Sequence, residues 1–156
     1  MPHRQSPDRA MRVWLRLIRL EARLQLAIGE RLRAIGLSIP QCDALTTLTE
    51  EEGVSQQELA KSLYVTKGNI SGLLDRLERA GLVERRSTAV DRRQYAIYLT
   101  PRGRELAEKA IEVQRRWVGE TFGRMPEKDL ETLEALLVAT RDLLRARSGP
   151  ALVRAR

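Results

Sequence analysis

Between Ser55 and Leu99 the hydrophobic repeat of the chain changes period, and few folds accept such a change over so short a span. Ile70, Leu73, Leu74 and Leu77 fall at the i, i+3, i+4, i+7 spacing of a helix buried on one side. Thr66 is placed to cap that helix and Gly81 to end it. Tyr95, Ile97 and Leu99 then alternate with Ala96 and Tyr98, the period of two of a half-buried strand, and residues 82–86 are its predicted antiparallel partner. Residues 87–94 between them contain neither Gly nor Asn, which predicts a long polar flap instead of a two-residue hairpin turn.

Helix starts are written clearly on either side of this segment. Ser38 with Gln41, and Ser55 with Glu58, have the form of capping boxes, and Pro40 sits in a first turn where its missing N–H costs nothing. They predict a helix from Ser38 to about Glu51 and a short one starting at Gly53-Val54-Ser55, joined to the next by Leu63-Tyr64-Val65. Upstream, Val13, Leu17, Leu20, Leu24, Ile28, Leu32 and Ile35 define a long amphipathic helix, whose apolar stripe Trp14 and Ile18 widen beyond what one neighbour covers. Downstream, Thr100-Pro101 opens a helix with Leu106, Ala110, Val113, Trp117 and Thr121 in line, ended by Gly123, and Pro126 opens another with Leu130, Leu133, Leu137, Thr140 and Leu144.

The predicted fold is mainly α with a small β wing: a winged helix-turn-helix flanked by N- and C-terminal dimerisation helices. Its expected divisions are a flexible arm over 1–9, a dimerisation helix over 10–36, the winged helix-turn-helix lobe over 37–100, C-terminal dimerisation helices over 101–146 and a flexible tail over 147–156.

Charge points to the partner. The chain has 28 Lys and Arg against 21 Asp and Glu, a net charge of +7. Residues 61–104 hold ten basic and four acidic side chains, and so supply six of those seven charges. A cationic helix-plus-flap unit suits double-stranded DNA. The single cysteine, Cys42, excludes an internal disulfide and fits a reducing cytoplasm. No apolar leader or membrane span is predicted. His3 is the one histidine and lies in the expected arm, so no metal site is predicted. No paired carboxylates, activated nucleophile or phosphate-cradling glycine loop is in place, so neither catalysis nor a cofactor is expected.

With the apolar face of the Ile70 helix turned inward, the opposite side presents Gly68, Gly72, Asp75, Arg76 and Arg79, with Lys67, Asn69 and Ser71 at its flanks. Asn reads adenine bidentately, Arg and Lys read guanine or bind phosphate, and glycines let the backbone approach a groove floor. The candidate DNA contacts are Ser55, Thr66, Lys67, Gly68, Asn69, Ser71, Gly72 and Arg76, with Arg85, Arg86, Asp91, Arg92 and Arg93 from the wing. An arginine at the flap tip suits the minor groove, and Asp91 can steady the guanidinium of Arg93. Arg85 and Arg86 are expected near phosphates. Asp75 would repel phosphate and is expected to pair with Arg76 or a wing arginine.

Ser55-Gln56-Gln57-Glu58-Leu59-Ala60, the run from Val65 through Val83, and Asp91-Arg92-Arg93 followed by Tyr98-Leu99-Thr100-Pro101-Arg102-Gly103 resemble the MarR family of bacterial regulators. The resemblance implies a dimer with recognition helices in successive major grooves, wing arginines in flanking minor grooves, and a ligand pocket between the DNA-binding lobe and the dimerisation helices. Peroxide-sensing members carry a reactive cysteine in the first helix, which has none here. Trp14, Cys42 and Trp117 are candidate contacts for a small organic effector, with core or dimer packing as the plain reading. The expected function is a homodimeric repressor that binds a pseudo-palindromic operator and is released by such an effector. An effector-independent or Cys42-controlled regulator, and a winged-helix module that binds protein, remain open at this point.

Overall fold

The computed structural model of the chain describes residues 7–87 and 95–147. Helix α1 (Pro7–Ala34) begins with Asp8 in its first turn and ends with Arg31 and Arg33 in its last, both favourable to the helix dipole. It starts inside the expected arm, so residues 7–9 are helical. Helix α2 (Ile39–Glu50) starts at a full capping box: the Gln41 N–H donates to Ser38 Oγ at 3.4 Å and the Ser38 N–H to Gln41 Oε1 at 2.9 Å. Helix α3 (Gln56–Ser62) repeats the device with Ser55 and Glu58 at 3.2 and 2.8 Å. The Ser55 N–H, with help from its hydroxyl, holds the Glu58 carboxyl below the usual carboxylate range. Helix α4 (Lys67–Arg79) is capped by Thr66, whose hydroxyl accepts the Asn69 N–H, and the chain leaves it through Gly81 at φ +67°.

The wing differs from the expected two-stranded flap. Strand β2 (Val83–Ser87) pairs with β3 (Tyr95–Leu99) in the register Val83 to Leu99 and Arg85 to Ile97. A third strand, β1 (Val54–Ser55), pairs with the other edge of β3, Val54 opposite Ile97. The sheet is therefore antiparallel in the order β1-β3-β2. Being central, β3 buries Ala96 as well as Ile97 and Leu99, so its burial does not follow strict alternation.

Over the described residues the chain divides into two compact units, one ending at Arg115 and the other beginning at Arg116, a boundary within α5 (Pro101–Glu120). In the first unit, Leu32, Leu37, Leu45, Leu48, Leu59, Ile70, Leu74, Leu77, Val83 and Ile97 form one core, which Ala107 and Ala110 of α5 join. The first turn of α5 lies against the backbone: an added Cβ on Gly103 would stand 1.8 Å from the Leu82 carbonyl oxygen. The N-terminal half of α1 leaves large apolar side chains exposed, from Met11 through Leu20, between Arg12, Arg16 and Arg19. In the second unit, Trp117 is buried with its ring edge-on to Phe122, centroids 6.3 Å apart. Helix α5 ends at Glu120, before the expected Gly123, because the Thr121 hydroxyl donates back to the Trp117 carbonyl at 2.8 Å and a 3-10 turn over Phe122–Arg124 follows. Helix α6 (Glu127–Arg147) leaves Leu136, Leu137 and Leu143 exposed.

Candidate nucleic-acid interface

Helix α4 is held from one side only. Ile70, Leu73, Leu74 and Leu77 are buried, while Lys67, Gly68, Asn69, Arg76 and Arg79 are exposed on the other side. Ser71 and Gly72 are half-buried at the margin of that face. The Ser71 hydroxyl lies 2.5 Å from Gln56 Nε2, which donates to it, so this side chain ties α3 to α4. Ser55 and Thr66 serve as helix caps with their hydroxyl oxygens turned to backbone N–H groups. On α4 itself the open part of the candidate set is thus Lys67, Gly68, Asn69 and Arg76, four residues around its first two and a half turns.

The two wing arginines expected at phosphates are engaged within the protein. Arg85 Nη2 contacts Asp75 Oδ1 at 2.6 Å and Nη1 contacts Glu78 Oε2 at 2.5 Å, and the Arg85 backbone N–H also donates to Glu78 Oε1 at 3.4 Å. Its side chain is only 18% exposed. Burial works against its charge, but the Asp75 and Glu78 carboxylates outweigh it and push the guanidinium pKa above its ordinary value. Arg85 is therefore a clamp between β2 and α4, and Asp75 takes this wing arginine as its partner. Arg86 lies over the Tyr98 ring, 4.3 Å from its centroid, and pairs with Glu84, while its side chain remains more than half exposed. Asp91, Arg92 and Arg93 lie outside the described residues.

The candidate effector contacts are placed separately. Cys42 is fully buried in the core of the first unit. Burial, with the Asp43 charge adding to it, pushes the thiol up to about 11, so it is not a thiolate at neutral pH. Trp14 belongs to the exposed stretch of α1 and Trp117 to the buried part of the second unit. Two open depressions lie in the first unit. One, of about 800 Å³, is lined by Gln56, Gln57, Lys61, Tyr64, Lys67 and Tyr95. The other, of about 660 Å³, lies over Glu52, Glu84, Arg86, Tyr98 and Arg104. Neither is lined by Trp14, Cys42 or Trp117.

Sequence reasoning missed Glu78, Gln56 and Glu52. Glu52 accepts the Leu99 N–H at 2.9 Å and pairs with Arg104 at 2.7 Å, closing the end of β3 with a side chain. Glu78 was findable, since it shares a helical face with Asp75 at i, i+3. Gln56 and Glu52 reach partners distant in sequence and carry no local signal. Among the described residues no three His, Cys, Asp or Glu side chains group as metal ligands, and no helix is long and apolar enough to cross a membrane.

A capped short helix, a turn, a second helix with a polar outer face and an antiparallel wing define a winged helix-turn-helix protein. Sequence and structure comparisons then supply the family. The MarR family sequence model matches residues 35–94. An HTH-type transcriptional regulator of Methylorubrum extorquens, TtmR, is 38% identical over 72% of this chain, which spans 57% of that relative. The Escherichia coli regulator PrsX is 31% identical over 76% of this chain and 73% of its own. Among solved structures, the MarR family regulator AbsC of Streptomyces coelicolor superposes with a TM-score of 0.82 at 25% identity, covering 92% of this chain and 99% of that one. MepR of S. aureus, solved as a DNA complex, gives 0.78 at 25% identity, covering 84% and 97%. The chain belongs to the MarR family, and the relatives and fold neighbours are transcriptional regulators, not enzymes.

Proposed function

We propose that two copies of this chain bind one operator of approximate two-fold symmetry, each with α4 in the major groove and the residue 91–93 segment at the adjacent minor groove. The observation that carries this reading is the one-sided burial of α4, which fixes the helix in the lobe and leaves Lys67, Gly68, Asn69 and Arg76 open to solvent. Asn69 supplies adenine readout, Arg76 guanine or phosphate readout, and Gly68 lets the helix start approach the groove floor. The MepR–DNA complex, built on the same fold, supports DNA as the partner.

The homodimer is supported by apolar surface. Met11, Val13, Trp14, Leu17, Ile18 and Leu20 on α1 are exposed, and so are Leu136, Leu137 and Leu143 on α6. Two-fold pairing is the usual cover for such faces. In this reading the protein works in the cytoplasm as a repressor that blocks promoter access, and a small organic effector releases it. An effector favouring the non-binding spacing of the two lobes by about 3 kcal/mol lowers operator affinity some 100-fold. Cys42, buried and protonated, is left with a packing role.

Selection of bound sequences from random duplex DNA tests the proposal. The expected motif is an inverted repeat with half-sites roughly 10 bp apart. Recovery of a single unrepeated half-site, or of no motif, would overturn it.

A further inference from the structure

Tyr64 lies in the turn between α3 and α4 at φ +53°, the single non-glycine residue in the left-handed region among the described residues. Glycine takes that conformation without steric cost, and a bulky aromatic residue does not. The fold gains little from the ring. Tyr64 is 87% exposed and stands outside the core, and the contact that anchors it is its backbone N–H to the Lys61 carbonyl at 3.2 Å. A strained residue that faces solvent calls for a role outside folding.

Its surroundings supply one. Tyr64 shares the rim of the 800 Å³ depression with Gln57, Lys61 and Lys67, so a cationic side chain stands three residues away on each side. Lys67 opens α4, the helix assigned to the major groove. The turn that leads into a helix lying in that groove passes beside a sugar–phosphate strand. A phenol can donate one hydrogen bond there, between two ammonium groups that draw the same phosphates.

We propose that Tyr64 is a DNA-backbone contact, its phenol donating a hydrogen bond to a phosphate at the edge of the major groove between Lys61 and Lys67. The proposal rests on the DNA-binding reading above. The contact carries no charge, so it adds affinity on any sequence without releasing a counterion.

The test compares wild type with Tyr64→Gly and Tyr64→Phe as full chains. Three quantities are read: the urea unfolding midpoint, affinity for the selected operator and for a scrambled duplex by fluorescence anisotropy, and the salt dependence of that affinity. Tyr64→Gly should raise the urea midpoint yet bind both duplexes about tenfold more weakly, the worth of one hydrogen bond to a charged group. Tyr64→Phe, which keeps the backbone strain, should leave the midpoint in place, lose about the same affinity and keep the wild-type salt slope. If wild type binds and either variant binds as tightly, the proposal falls while the DNA-binding reading stands. A lower midpoint for Tyr64→Gly also overturns it, because the ring would then serve the fold. Failure of wild type to bind any duplex at low salt would overturn the underlying reading and the proposal with it.

Discussion

Replacing Arg85 by alanine separates two accounts of the wing that make opposite forecasts. The guanidinium joins β2 to α4 through Asp75 at 2.6 Å and Glu78 at 2.5 Å. Its own side chain is 18% exposed, but the two carboxylates are 55% and 42% exposed and partly screened by water. Exposed ion pairs contribute about 0.2–1 kcal/mol each, and this partly buried pair of contacts sits near the upper end, so removal should cost about 1–2 kcal/mol of folding stability. A phosphate contact behaves differently: its loss takes about 0.9 off the slope of log affinity against log salt and leaves folding stability nearly untouched. The structure predicts a lower urea midpoint and an unchanged salt slope, with operator affinity falling only as far as the wing loses its seat on α4. Glu78→Gln should lose less stability than Arg85→Ala, and the double variant should show coupling of about 0.5–1 kcal/mol. A salt slope reduced by about 0.9 with the urea midpoint preserved would refute the clamp and return Arg85 to the phosphates.

Gly103→Ala should destabilise the fold by about 2 kcal/mol or more, although alanine favours a helix by about 1 kcal/mol, because the new methyl would meet the Leu82 carbonyl at 1.8 Å and backbone must move; an equal or higher urea midpoint would contradict this. The Cys42 thiol should resist a disulfide reagent at pH 8 in the native protein and react once urea unfolds it, and rapid native labelling would count against its burial. Its folded pKa is raised from 9.0 to about 11, so its contribution is intact below pH 9 and should be lost as pH rises from 9 towards 11, where the unfolded thiol ionises first. The difference between wild type and Cys42→Ala across that window isolates the effect. Asn69→Ala should relax base preference at one operator position more than it weakens binding to a scrambled duplex; an equal loss on both would assign Asn69 to the backbone.

What was legible in the sequence was whatever a short window encodes. The two capping boxes put the start of α2 at Ser38 and that of α3 within residues 53–55, next to the observed Ile39 and Gln56, and the Ile70 stripe gave the buried face of α4. The strand β1 was not legible, because two residues carry no period and Val54 joins the sheet only by meeting Ile97. Ala96 was misplaced for the same reason: whether a strand is central or at an edge depends on neighbours that its own alternation does not name. Arg85 illustrates the limit for the site. Composition marks it as one more cation, and only the approach of β2 to α4 turns it inward onto Asp75 and Glu78. Tyr64 hid behind propensity, since nothing in a Leu-Tyr-Val turn announces a left-handed aromatic residue.

The pairing of β1 with β3 also ties the entry of α3 to a segment distant in sequence. Val54 and the Gly53 N–H, which donates to the Ile97 carbonyl at 2.8 Å, find their partners on a strand made more than forty residues later in synthesis. The lead-in to α3 is therefore seated only once the wing's returning strand is in place, and non-local closure of this kind slows the folding of small domains. The recognition unit thus closes through a contact that none of its helices carries alone.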